Sequence, residues 1–229
     1  GGEREQVRCR GATCEELIKR VWLVTFVDVC DVWSLLVFLP WLPSYLKDAR
    51  GVDRKQLALF TALPLLAGVV GDTLGGVLSD RIYKKTGNLK LARRLLLVVG
   101  LGGALVFIVP AIYTKTPLMA VALLAASFFF LELTNAVLWS LPLDIAGKFA
   151  GTAGGMMNTG FGVAGLISPV AFGYLIQVTG SYEMPFLISA ALLGVAVLCS
   201  FWIDPTNKLP DPVAPPPPLN GMLRMAPSK

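Results

Sequence analysis

Apolar and polar stretches alternate along this chain with a period of about one membrane thickness. Long apolar runs occupy roughly residues 21–46, 56–79, 95–113, 118–141, 152–177 and 184–203. Each holds about twenty residues, enough to cross a hydrocarbon core of about 30 Å as a helix. Short polar crossings separate them, and aromatic residues such as Trp22, Trp41 and Tyr45 fall near the ends of the first run, where rings favour the interface. The pattern predicts an all-α membrane protein with six transmembrane helices.

Outside these runs the character changes. Residues 1–20 are polar and mixed in charge and read as a cytoplasmic linker. The chain opens on Gly1-Gly2 without a methionine, which reads as an interior cut. From Pro205 to Lys229 the composition is Pro-rich, with Pro215 to Pro218 consecutive, and predicts a disordered cytoplasmic tail.

Charge sets the orientation. Of the 20 lysines and arginines, five precede the first run and six, Arg81, Lys84, Lys85, Lys90, Arg93 and Arg94, sit between the second and third. Basic residues concentrate on the cytoplasmic side of short membrane loops. Both ends of the segment are therefore expected inside, with the plasma membrane favoured over an organelle. The net charge of +5 lies in membrane-flanking positions and does not indicate a nucleic-acid partner. Only 15% of residues are charged and the mean hydropathy is +0.66, too apolar for a water-soluble domain. With four cysteines and no histidine, the chain offers no zinc spacing and no nucleophile–base pair, so neither a metal site, a cofactor nor an enzyme is expected.

Two stretches carry a family resemblance. The first is Gly68 to Arg94, where Gly76, Asp80, Arg81, Lys84, Lys85 and Gly87 resemble the signature loop of the major facilitator superfamily; Lys85-Thr86-Gly87 departs from the usual order. The second is Gly151 to Tyr174, which runs through Asn158, Gly160, Gly162, Gly165 and Ser168-Pro169 and then continues to Tyr182. It resembles the eleventh helix of the anion:cation symporter branch of that superfamily, which includes sugar-acid, sialin and vesicular glutamate transporters. Pro40-Trp41-Leu42-Pro43-Ser44-Tyr45-Leu46 is similar to the seventh helix of the branch. The resemblance covers roughly residues 20–205. It implies the C-terminal half, helices seven to twelve, of a twelve-helix fold, with the N-terminal six-helix half outside this chain. A natural six-helix protein is the competing account.

Ionisable groups inside a membrane span are costly and mark pathways or relays. Asp28 and Asp31 share one face of the first helix, where both cannot comfortably carry charge; one holds a proton, as a proton-coupling residue must. The alternative places Asp28 near the inner surface with Lys19 and Arg20. Glu132 and Asn135 lie one turn apart and suit a hydroxylated ligand or a proton relay; the alternative is a clamp between helices. Asp72 sits beside Gly71 and Gly75 and suits helix packing. The resemblance implies substrate contact for Asn158, on a stripe formed with Gly151, Gly155, Gly162 and Gly165, and a gating role for Asp80, Arg81, Gly76, Lys84 and Lys85; a packing seam and a plain positive-inside loop are the alternatives. It also implies a secondary active transporter that moves a small organic anion by alternating access, coupled to H+ or Na+, within the lipid bilayer. None of the helices carries an arginine at depth, so a cationic partner for the anion is expected from the other half. A non-transporting six-helix scaffold or assembly subunit stands as the second function class.

Overall fold

The structure, a computed structural model, describes residues 2–206. Its helices are α1 (Gly2–Ser44), α2 (Arg54–Thr86), α3 (Leu89–Tyr113), α4 (Pro117–Ala146), α5 (Ala150–Thr179) and α6 (Glu183–Ser200). All six are long and apolar enough to cross a membrane. Among the described residues there is no strand. The expected tail from residue 207 onward lies outside the described residues.

Most helices are longer than the apolar runs that announce them. Hydropathy marks the part that prefers lipid, whereas a helix ends where its backbone hydrogen bonds end. The segment read as a linker therefore continues into α1 without a break. Its last apolar turns hold Pro40 and Pro43, which lack N–H donors. The helix survives both and closes in a π-helical turn, Tyr45–Ala49.

The basic stretch is likewise mostly helical, a correction to its reading as a loop. Asp80 through Lys85 ride on the last turns of α2, and Lys90, Arg93 and Arg94 on the first turns of α3. Lys84 and Lys85 favour the negative end of the α2 dipole. Gly87 then takes a left-handed φ of 64° and donates its N–H to the Tyr83 carbonyl at 2.8 Å. Asn88 starts α3 by accepting from the Leu91 N–H at 3.0 Å. Only Gly87 and Asn88 link the two helices.

The bundle is organised around α4, which packs between α2 and α3. Glycine makes the approach to α2 possible: a Cβ on Gly71 would stand 2.2 Å from the Phe129 carbonyl oxygen, and one on Gly75 2.3 Å from that of Leu133. A second group forms around α1, which packs on α5 and α6. Trp41 Nε1 donates to the Pro169 carbonyl at 3.1 Å, and Ser168 Oγ to the Trp33 carbonyl at 3.1 Å. Phe38 of α1 meets Phe128 of α4 edge-on at 5.0 Å and joins the two groups. Within the spanning windows, 53% of α1 and 50% of α4 is buried, against only 17% of α2 and of α5. Much of α2 and α5 thus faces away from this bundle.

Candidate functional site

The polar groups inside the bundle fall at three levels. The middle level is the seam between α1 and α4. Asp28 and Asp31 are each only 1% exposed, although they sit on an apolar helix. Both oxygens of Asp28 and Oδ1 of Asp31 are buried without a hydrogen-bond partner. Asp31 lies within electrostatic reach of Asp28 and of Glu132 across the seam. Glu132 is half-buried, and Asn135 Nδ2 donates to its Oε2 at 3.4 Å, a long bond. The structure therefore brings Asp31 of α1 and Glu132 of α4 within electrostatic reach, with Asp28 beside the one and Asn135 beside the other. Asp72 reaches Glu132 only electrostatically and is itself exposed on α2, beside the glycines that do the packing.

Asn158 stands apart from this group. It lies on the exposed face of α5. A Cβ added at Gly151, Gly155 or Gly162 would meet nothing within 4 Å, so this part of the stripe is open in the half-bundle. Gly160, by contrast, presses against Thr25 and Val29 of α1. One helix thus carries two faces: a packed one and an open one bearing Asn158.

The end of the bundle where α2 meets α3 contains a tie that the motif reading missed. Arg93 of α3 donates through Nε to Asp144 Oδ2 at 2.8 Å and through Nη1 to Ser79 Oγ at 2.6 Å. Three helix ends, α2, α3 and α4, are thereby held by one guanidinium, whose planar fork suits two acceptors. Asp80, Arg81, Lys84 and Lys85 are all exposed, and Gly76 meets only the Ala136 Cβ, at 4.0 Å. In sequence Arg93 counted only as one more positive charge. A signal was available, since Arg93 and Asp144 are opposite charges at the start of one span and the end of the next.

Beside this tie a clasp holds the chain beyond α6. Lys90 Nζ pairs with Asp204 Oδ2, and Arg94 Nη2 donates to the Ile203 carbonyl at 3.1 Å. Partial burial opposes ionisation of Asp204, but hydrogen bonds from Lys90 and Thr206 outweigh it and hold the carboxyl down at about 2.

At the opposite end Arg50 ties the π-helical turn after α1 to α3. Its Nε donates to Tyr45 Oη at 2.8 Å, and its Nη2 to the carbonyls of Ala111 at 3.2 Å and Ile112 at 2.8 Å. These are carbonyls of the last turn of α3, which has no further helix to accept from. Among the described residues, no three His, Cys, Asp or Glu side chains gather closely enough to hold a metal ion.

Comparison with known proteins agrees with this architecture. The sequence matches the Major Facilitator Superfamily over residues 21–226. It is 67% identical over 211 residues to a protein of Cupriavidus necator named a probable sulfoacetate transporter, covering 92% of this chain and 49% of that protein. It is 35% identical to the hexuronate transporter of Bacillus subtilis, covering 80% of this chain and 43% of that one. It is 30% identical to a probable galactarate/D-glucarate transporter of Escherichia coli, covering 70% and 36% respectively. The chain thus spans half or less of the length of these relatives. Six apolar membrane-length helices and a match across nearly all of them lead to one conclusion: the chain is an integral, multi-pass membrane protein that belongs to the Major Facilitator Superfamily, a family of transporters rather than enzymes.

Proposed function

We propose that this chain is the C-terminal six-helix half of a secondary active transporter that carries a small organic anion by alternating access, coupled to H+ or Na+. The observation that carries the proposal is the division of polar groups. Carboxyls lie buried without hydrogen-bond partners on α1, while an asparagine stands on an open, glycine-lined face of α5. A charged carboxyl inside a membrane span is costly, and such groups mark ion or proton paths. An open polar face on a membrane helix is equally costly unless protein or water covers it. The covering protein is the N-terminal half, against α2 and α5.

In this reading Asn158 contacts the substrate, with Glu132 and Asn135 reaching the same cavity from α4. Asp31 and Asp28 take up the coupling cation. Asp80, Arg81, Gly76, Lys84 and Lys85 form the inner gate, and the anion's cationic partner comes from the other half. The termini of this segment face the cytoplasm, and the plasma membrane is the site of action. The names of the relatives support the anion, and sulfoacetate, a two-carbon sulfonated carboxylate, is the first substrate to test.

The test is uptake of radiolabelled sulfoacetate by proteoliposomes holding the full-length protein, with imposed pH or sodium gradients and with hexuronate and glucarate as competitors. Gradient-driven, saturable uptake is expected. Absence of uptake of sulfoacetate, and of labelled hexuronate and glucarate assayed in the same way, would overturn the proposal in favour of a scaffold role.

A further inference from the structure

Arg94 carries a charge that the clasp beyond α6 leaves unanswered. Its Nη2 donates to the Ile203 carbonyl at 3.1 Å, a neutral acceptor. Its Nε is buried without a hydrogen-bond partner. Among the described residues no carboxylate stands within ion-pair distance of it. Asp204, next in sequence to Ile203, is already engaged at both oxygens. Oδ2 pairs with Lys90, and Oδ1 accepts from the Thr206 N–H at 3.1 Å and from Thr206 Oγ1 at 2.6 Å. Arg93, by contrast, is satisfied by Asp144 and Ser79. A part-buried guanidinium with one neutral acceptor is costly, because its charge has lost water without gaining an anion.

The surroundings of Arg94 indicate which anion. A Cβ on Gly194 of α6 would stand 3.9 Å from Leu105 Cδ2 of α3, so these residues mark the sides on which the two helices meet. Arg94 lies about three turns before Leu105, on the same side of α3. Leu198 lies one turn after Gly194, on the same side of α6. Leu198 is nevertheless 59% exposed, so the seam opens toward this end. Leu91, one turn before Arg94, is exposed as well, and Trp202, the residue before Ile203, is 71% exposed. Apolar surface thus runs beside the cations, with an indole of the kind that sits at the head-group level of a bilayer. A soluble anion makes no use of such a surface. A phospholipid matches it, with phosphate at the basic end and an acyl chain along the seam. Basic pockets between membrane helices take phospholipid head groups in this way.

We propose that the seam between α3 and α6 binds an anionic phospholipid, with its phosphate on Arg94 and Lys90, its head-group region against Trp202 and an acyl chain along Leu198. Lys90 gives one of its three donors to Asp204 and keeps two for the phosphate. The site requires only that the chain spans a membrane, so it stands or falls apart from the transport reading.

The experiment titrates the purified full-length protein, in a neutral detergent, with phosphatidylglycerol or phosphatidylcholine and reads bound lipid per protein by native mass spectrometry. Wild type, Arg94→Gln and Lys85→Gln are compared, the last removing one exposed charge from the neighbouring end of α2. Saturable binding of phosphatidylglycerol, at least about tenfold tighter than that of phosphatidylcholine, is expected in the wild type and in Lys85→Gln. Arg94→Gln is expected to lose at least about tenfold in affinity, as when a bond to a charged group is removed. If Arg94→Gln does not fold, Trp202→Ala decides in its place, because removing an exposed ring leaves the tie to Ile203 intact; it is expected to bind more weakly than the wild type. No preference for phosphatidylglycerol in the wild type, or wild-type affinity in the deciding variant, overturns the site. An equal loss in Lys85→Gln overturns it too, since any basic residue would then serve. Displacement of the lipid by glycerol phosphate at equal concentration removes the lipid as occupant and leaves a site for soluble phosphate.

Discussion

Arg93 and Asp144 meet at 2.8 Å between the start of α3 and the end of α4, although 51 residues separate them in sequence. The same guanidinium reaches Ser79 on α2. Both charged side chains are largely shielded, at 13% and 20% exposure, so solvent screens the pair less than it would a surface bridge. Arg93→Gln and Asp144→Asn are each expected to lower stability by about 1–3 kcal/mol, with the double variant costing less than the two singles together. Thermal unfolding of the four proteins in one detergent measures this. Additive losses would mean that the two side chains do not act as a pair.

Gly71 and Gly162 have opposite surroundings on their helices. A methyl on Gly71 would collide with the Phe129 backbone, which cannot swing away as a side chain can. Gly71→Ala is expected to cost about 1–3 kcal/mol or to abolish folded protein. Gly162→Ala meets nothing within 4 Å in this half and is expected to cost less folded protein than Gly71→Ala. Yields of monodisperse protein after gel filtration provide the comparison, and equal yields would contradict the close α2–α4 approach.

Asn158 is exposed, so its removal leaves no hole in this half. Asn158→Ala is expected to leave the amount of folded protein unchanged while weakening anion binding by roughly 10- to 150-fold, as for the loss of a hydrogen bond to a charged ligand. Calorimetric titration of wild type and variant with sulfoacetate reads the effect. Equal dissociation constants would leave α5 as a packing helix only.

The clasp between Lys90 and Asp204 predicts an acid signature. Folding holds the Asp204 carboxyl at about 2, below its ordinary value of 3.8, so the folded form binds this proton less readily than the unfolded one. Its contribution to stability is then full above about pH 4, falls as pH drops towards 2, and is absent below that. The Tm difference between wild type and Asp204→Asn is expected to be constant from pH 7 to 4 and to close between 4 and 2. A gap that persists at pH 2 would show that the carboxylate's charge is not what holds the clasp.

The six spans were legible in the sequence because preference for lipid is a property of each local segment, summed over about twenty residues and independent of its neighbours. The resemblance in Gly151 to Tyr174 and in the basic stretch was legible for a similar reason, since glycine spacing and short motifs are local. Helix ends were less so: α2 runs to Thr86 because Gly87 and Asn88 supply its cap and the next start, which hydropathy does not register. Which acidic residues are buried was a tertiary decision. Asp28, Asp31 and Asp72 look alike in a hydropathy profile. Only packing encloses the first two behind α4 and α5 while turning Asp72 outward, because burial depends on which side of each helix meets a neighbour. The Arg93 tie belongs to the same class, because it needs a partner on another helix, and that is not written in the order of residues along one segment.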